Sequence, residues 1–281
     1  MKIIRGTFQA LFLLALLLSL QGCSFKFVYQ QVHWALPWYA GRVFDLSSEQ
    51  EEELKRSLSG QLRWHQKTQL PLYIEALGEW EVFALRSHSA AEFDRLLVQN
   101  QVHLTLLVKH LVSDVSPFLL SLSVSQRKTL FELIDESNQR YRSRYLLDEE
   151  SVERVRAESF IESVHFWFGS VGAVQKQEVL KSLADYASTE SIVYSNRQQS
   201  LARLQVILTG QMDESLRREQ LDEFLNPPWY HVTALDQKKL DHNMVLSVSL
   251  TEKLLYLATQ KQRKHAAAFA RGWANELSEL L

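Results

Sequence analysis

The groups in this chain that could make or break bonds are few: one thiol, at Cys23, and scattered carboxylates and imidazoles. A thiol is a nucleophile, and a lone one excludes both a disulfide framework and a thiolate-rich metal site. Glu158-Ser159-Phe160, with Ser170-Val-Gly-Ala-Val-Gln175 downstream, is the arrangement that could do acid/base work on a sugar. That work needs a carboxyl of raised pKa in a substrate cleft, and the plain alternative is a solvated helical glutamate. Glu162-x-x-His165 is the helical pair used in carboxylate-bridged di-metal bundles, which need a second such pair and two further glutamates. The chain has no second Glu-x-x-His, and His103 and His110 have no acid between them. No metal and no cofactor is expected. Trp34, Trp38, Trp64, Tyr73 and Trp80 recur at helical spacing among Tyr39, Phe44 and Phe83. They read either as a ligand groove or as a core cluster stapling the first helices together.

Cys23 stands at the end of a leader. Lys2 and Arg5 give a positive start, and an apolar run follows from Phe8 to Leu20. That run is shorter than the roughly 20 residues a spanning helix requires. A charged start and a short apolar core are the parts of a secretory signal, here residues 1–22. Leu20-Gln21-Gly22-Cys23 resembles the lipobox of bacterial lipoproteins, although Gln21 departs from its usual small residue. The resemblance implies that Cys23 carries a diacylglycerol and, after cleavage, an acylated amine. Several acyl chains make a durable anchor, each buried CH2 contributing about 0.8 kcal/mol. Ser24, rather than an acid, follows the cysteine, which by resemblance to the sorting rule of such proteins directs it to the outer membrane, facing the periplasm. An ordinary cleaved signal with a chance cysteine is the alternative.

Beyond the leader the pattern is helical throughout, and no alternating strand pattern bounded by turn residues occurs. Residues 23–45 are expected to hold the lipidated N-terminus, a tether and a first helix, and 46–281 an all-helical domain. Ser48 with Glu51, Ser89 with Glu92, and Ser123 with Gln126 fit capping boxes. Leu46-Ser-Ser-Glu-Gln50 and Leu122-Ser-Val-Ser-Gln126 resemble helix starts of small helical periplasmic chaperones, and equally are plain helix-start chemistry. Pro71 predicts a kink or a tight joint. Leu104, Leu106, Leu107, Val108, Leu111 and Val112 make the segment from Phe93 to Leu122 apolar on nearly all sides, which predicts a helix at the centre of a bundle. Gly210 and Asn226-Pro227-Pro228 end helices. Lys261, Arg263, Lys264, His265 and Arg271 form a basic face on the last helix, either solvated or touching anionic headgroups.

Composition agrees. The 281 residues are 46% hydrophobic and 23% charged, too apolar for disorder. With 31 basic against 33 acidic residues there is no global charge to attract nucleic acid. Nine glycines are about half the usual share of roughly 7%, which argues against glycine-turn folds and nucleotide binders. The expected fold is all-α, a bundle of about eight to nine helices.

The lipobox, the Trp38-Tyr39 to Phe44-Asp45-Leu46 stretch, Gln50 and Trp64-His65-Gln66-x-x-Gln69-Leu70-Pro71-x-Tyr73 occur in order. Together they resemble an uncharacterised family of lipoproteins of diderm bacteria, defined only as a domain of unknown function. The likeness is sharpest over 23–80 and looser at Phe168-Gly169 through Gln175 and at Arg197. It implies an all-helical, envelope-located lipoprotein and supplies no catalytic residues. Glu158 followed by Ser159 separately resembles the lytic transglycosylase signature, without that signature's later glycine. The expected function is therefore a lipid-anchored binding or scaffold module of the envelope, chaperone-like activity included. Its partners would be the membrane, through the lipid, and another envelope protein or peptidoglycan. The alternative is a peptidoglycan-acting lytic enzyme using Glu158.

Overall fold

The structure is a computed structural model, described for residues 24–86, 90–226 and 232–281. The leader, Cys23 and Ser89 lie outside the described residues. The fold is all-α, with no strand among the described residues. In chain order the elements are α1 (Ser24–Phe44), α2 (Ser48–Trp64), a π turn (His65–Gln69), α3 (Leu70–Leu85), α4 (Ala90–Ser121), α5 (Val124–Tyr145), α6 (Glu149–Phe168), α7 (Ala173–Leu183), α8 (Glu190–Thr209), α9 (Glu214–Leu225), α10 (Ala234–Tyr256) and α11 (Gln260–Ser278). Because α2, the π turn and α3 run on without a break, these make ten continuous helices, slightly more than the eight to nine expected.

By internal contacts the chain forms two compact units, residues 1–75 with 272–281, and residues 76–271. In the first, α1 packs on α2. The first helix start is displaced by one residue from the sequence reading. Ser47, not Ser48, is the cap: its hydroxyl accepts from the Gln50 amide, and the Gln50 side chain accepts from the Ser47 amide at 3.0 Å. Ser48 already lies inside α2, so its hydroxyl cannot occupy the cap. Leu70 is buried to 1% exposure in this unit.

Pro71 produces no joint. The Leu70 amide donates to the His65 carbonyl, five residues back, immediately before the residue that has no amide to donate. The wider turn absorbs the missing hydrogen bond, and the helix continues.

The second unit holds several apolar clusters. Leu204, Ile207 and Leu208 of α8, at the i, i+3, i+4 spacing of a helix face, meet Leu221 of α9, with Leu119 and Leu120 of α4 and Leu130 and Ile134 of α5 around them. Ala157 and Val164 of α6 pack with Val179 and Leu183 of α7 and Leu250 and Leu254 of α10. Phe83, Phe93, Leu96 and Leu255 form another cluster, in which Phe83 and Phe93 stack with centroids 6.0 Å apart.

The middle of α4 is not at the centre of the bundle. Val98, Val102, Leu104 and Leu106 are each about half exposed or more, whereas Phe93 and Leu96 near one end and Leu119 and Leu120 at the other join the clusters just described. An apolar surface on every side shows that no face prefers water; it does not supply neighbours for them all. Glu92–Ser121 is also, among the described residues, the one stretch long and apolar enough by length and composition to cross a membrane, and only 11% of its most apolar window is buried.

Candidate functional site

The Glu158 region separates into two parts with different tasks. Glu158 is exposed on α6 and borders an open hollow of about 300 Å³ with Glu150, Glu153, Arg154 and Leu180. The downstream residues are committed to structure. Gln175 is buried, and its side-chain oxygen accepts from the Gly172 amide and from the Gln262 side-chain amide, both at 2.8 Å. Its own side-chain amide reaches the Leu254 carbonyl at 3.4 Å. Gln262 caps α11 in turn, accepting from the Thr259 amide and donating to the Ser170 carbonyl, each at 2.8 Å. Two helix starts are thus tied together by one glutamine–glutamine hydrogen bond. The Ser170 to Gln175 pattern has a complete account as capping chemistry.

Gly169 ends α6 with φ +70°, the left-handed conformation that favours glycine. A Cβ there would stand 2.8 Å from the His265 ring. His265 and Arg263, read as part of a basic face, therefore differ in task. His265 lies over the end of α6, whereas Arg263 donates to the Leu255 and Ala258 carbonyls at the end of α10. Arg271 pairs with Glu81, and that bond raises its pKa further.

Of the five aromatic residues, Trp34, Trp38, Trp64 and Tyr73 belong to the first unit and Trp80 to the second. Trp34 and Trp38 point outward from α1, each 51% exposed. Trp80 packs edge-on against Phe83 at 5.4 Å and Phe93 at 6.1 Å in the second unit. Trp64 ends α2, half-buried. Tyr73 belongs to a row of three rings that sequence reasoning missed as a group: Tyr29, His65 and Tyr73. The Tyr29 hydroxyl lies 3.0 Å from His65 Nδ1, and the His65 ring meets Tyr73 at 5.5 Å. Burial pushes the His65 pKa down and both phenols up, with Tyr73 adding to the rise at Tyr29. An uncharged imidazole fits this row, with the phenol donating to Nδ1 and the ring proton on Nε2. The π turn places His65 between the two tyrosines, and no spacing rule applied to the sequence anticipates that turn. Beside it, Gln69 is 4% exposed, and its side-chain oxygen has no hydrogen-bond partner.

A larger open hollow, of about 610 Å³, lies between α5 and α8. Its charges are matched along the α5 wall, Arg127 and Lys128 with Glu132 and Asp135. Arg127 is already used, donating to the Leu208 and Leu120 carbonyls at helix ends. Burial, and then the nearby Arg217, lower its pKa. Among the described residues no group of three His, Cys, Asp or Glu could hold a metal ion. Glu162 and His165 are both exposed on α6, and His103 and His110 are partly buried in α4.

Residues 42–229 match the profile of DUF6279, a family of unknown function. The chain belongs to this family. The match takes in α2 through α9, and with them Glu158, the Gln175 cap and the exposed span of α4. No curated protein and no solved structure matches the chain. Membership in DUF6279 brings no activity with it, so function must be argued from the surfaces of the molecule.

Proposed function

We propose that this DUF6279 protein is a lipid-anchored binding or scaffold module of the cell envelope, held at the periplasmic side of the outer membrane through Cys23. The observation that carries the binding role is the bare span of α4. Val98, Val102 and Leu106 repeat every four residues and so share one side of an element held at both ends. Contiguous apolar surface on a protein of this size marks a place where something else docks. A client polypeptide of chaperone type and another envelope protein are the partners this surface suits.

The anchor is supported by the leader and by Leu20-Gln21-Gly22-Cys23. Cys23→Ser should move the protein from the membrane fraction to the soluble fraction of the envelope; persistence in the membrane after a carbonate wash would refute the lipid. A photocrosslinker at Val102 should capture a partner in intact cells that one at exposed Lys128 does not. Equal capture at both positions would remove the special role of α4. The peptidoglycan-cleaving alternative rests on Glu158 and is less well supported, because a lytic acid works inside a substrate cleft and Glu158 is exposed beside an open hollow. Muropeptide release by the wild type that Glu158→Gln abolishes would reverse that preference.

A further inference from the structure

α1 is helical from Ser24, the residue after the proposed lipid anchor, so no tether separates the two among the described residues. Phe27, Trp34 and Trp38 are spaced by seven and four residues, which returns a helix to the same face. All three are more than half exposed. The helix contains no Asp or Glu from end to end. Lys26 is paired with Glu279, and the Arg42 guanidinium lies over the Trp38 ring, 5.3 Å from its centre. The Trp34 indole N–H donates to the Gln31 side chain on the same stripe.

At 1.5 Å per residue, Phe27 lies about 6 Å and Trp38 about 22 Å along the axis from Cys23. If α1 stood upright on its anchor, both indoles would be in water. Lying along the bilayer, it would place all three rings at the depth of the headgroups. That layer suits an indole, which has an apolar body and one polar N–H to satisfy. Arg42 then faces the lipid phosphates, and no carboxylate on the helix opposes an anionic surface. We propose that α1 lies along the membrane that holds the anchor, with Phe27, Trp34 and Trp38 inserted among the headgroups and upper acyl chains. This rests on the proposed lipid at Cys23, and it assigns these tryptophans to a lipid surface instead of a ligand groove.

The test uses the full lipidated chain reconstituted into phosphatidylethanolamine–phosphatidylglycerol vesicles, with and without brominated acyl chains, which quench indoles that reach them. Two of the seven tryptophans are on the stripe, so bromination should remove roughly two-sevenths of the emission. Trp34→Phe/Trp38→Phe should abolish that sensitivity while the protein still floats with the vesicles. Flotation without bromine quenching would overturn the recumbent helix and leave the anchor standing. Quenching that survives in the double variant would overturn the assignment to this face. Failure to float at all would overturn the anchor, and the inference with it. Shielding of Trp34 and Trp38 from aqueous acrylamide in native membranes, without bromine quenching in vesicles, would show a protein covering the face and overturn the lipid assignment.

Discussion

α8 and the middle of α4 are both helical and both rich in large aliphatic residues, yet they sit in opposite surroundings. Leu204, Ile207 and Leu208 of α8 are nearly closed to water, facing Leu221 and the side chains of α5. Val98, Val102, Leu104 and Leu106 of α4 stand in water between ends that are well packed. The difference shows that apolar content sets how readily a segment hides, whereas neighbours decide whether it does. α8 closes Leu204, Ile207 and Leu208 against neighbouring helices, although Val206 beside them is largely exposed. α4 buries Val112 and the His103 ring nitrogens but leaves Val98, Val102, Leu104 and Leu106 about half exposed.

That contrast breaks most directly at single leucines. Leu208→Ala should cost about 2–5 kcal/mol in urea unfolding, because it leaves a cavity the packed helices cannot close. Leu104→Ala should change stability by no more than about 0.5 kcal/mol. Equal losses would mean that α4 is packed in solution and that the comparison fails. The interior of the second unit also holds polar groups that should matter more than the exposed leucines. Gln262→Ala takes one of three hydrogen bonds from Gln175 and removes the Gln262 partner of the Ser170 carbonyl and the Thr259 amide, and should cost about 1–3 kcal/mol by the same measurement. Stability unchanged there would show that water replaces the glutamine, so that the joined caps add nothing.

The smallest effect is a pH dependence at His65. Burial holds its pKa below the ordinary 6.5, so the folded state binds its proton less readily than the unfolded chain does. The stability it allows is fully present above that value and is lost as pH falls through it toward the lower folded pKa. Thermal melts from pH 8 down to 5 should show a decline that His65→Gln flattens; an unaltered slope would place the acid sensitivity elsewhere.

Much of the fold was legible because helix starts are local chemistry. Ser123 and Gln126 cap α5 as their spacing predicts, with the cap hydroxyl and the Gln126 side chain exchanging hydrogen bonds. At Ser47 and Ser48 two candidate caps adjoin, and the chain uses the one whose partner is Gln50. Pro71 does mark a local departure from α geometry, but it takes the form of a widened turn before the proline and not of a joint between helices. The exposure of α4 depends on residues far away in the sequence, which periodicity cannot report. The grouping of Tyr29 with His65 and Tyr73 was hidden for a similar reason, since Tyr29 comes from a different helix. Trp34 and Trp38 were visible as a pair but not as an outward face, because equal spacing serves core and surface alike.

Four helix starts in this protein place a glutamine where a glutamate would also fit: Gln50, Gln126, Gln175 and Gln262 each accept from a main-chain amide. A carboxamide accepts that hydrogen bond at any physiological pH, whereas a carboxylate loses its charge as it takes up a proton. Asp148 illustrates the other design: the Ser151 amide it accepts from holds its pKa below the ordinary range, so its contribution is present above that range and drains away as pH falls through the lowered value. The beginnings of α2, α5, α7 and α11 are therefore blind to protons. Acid would reach this fold through carboxylate caps such as Asp148 and through His65, while the starts of those four helices stayed closed.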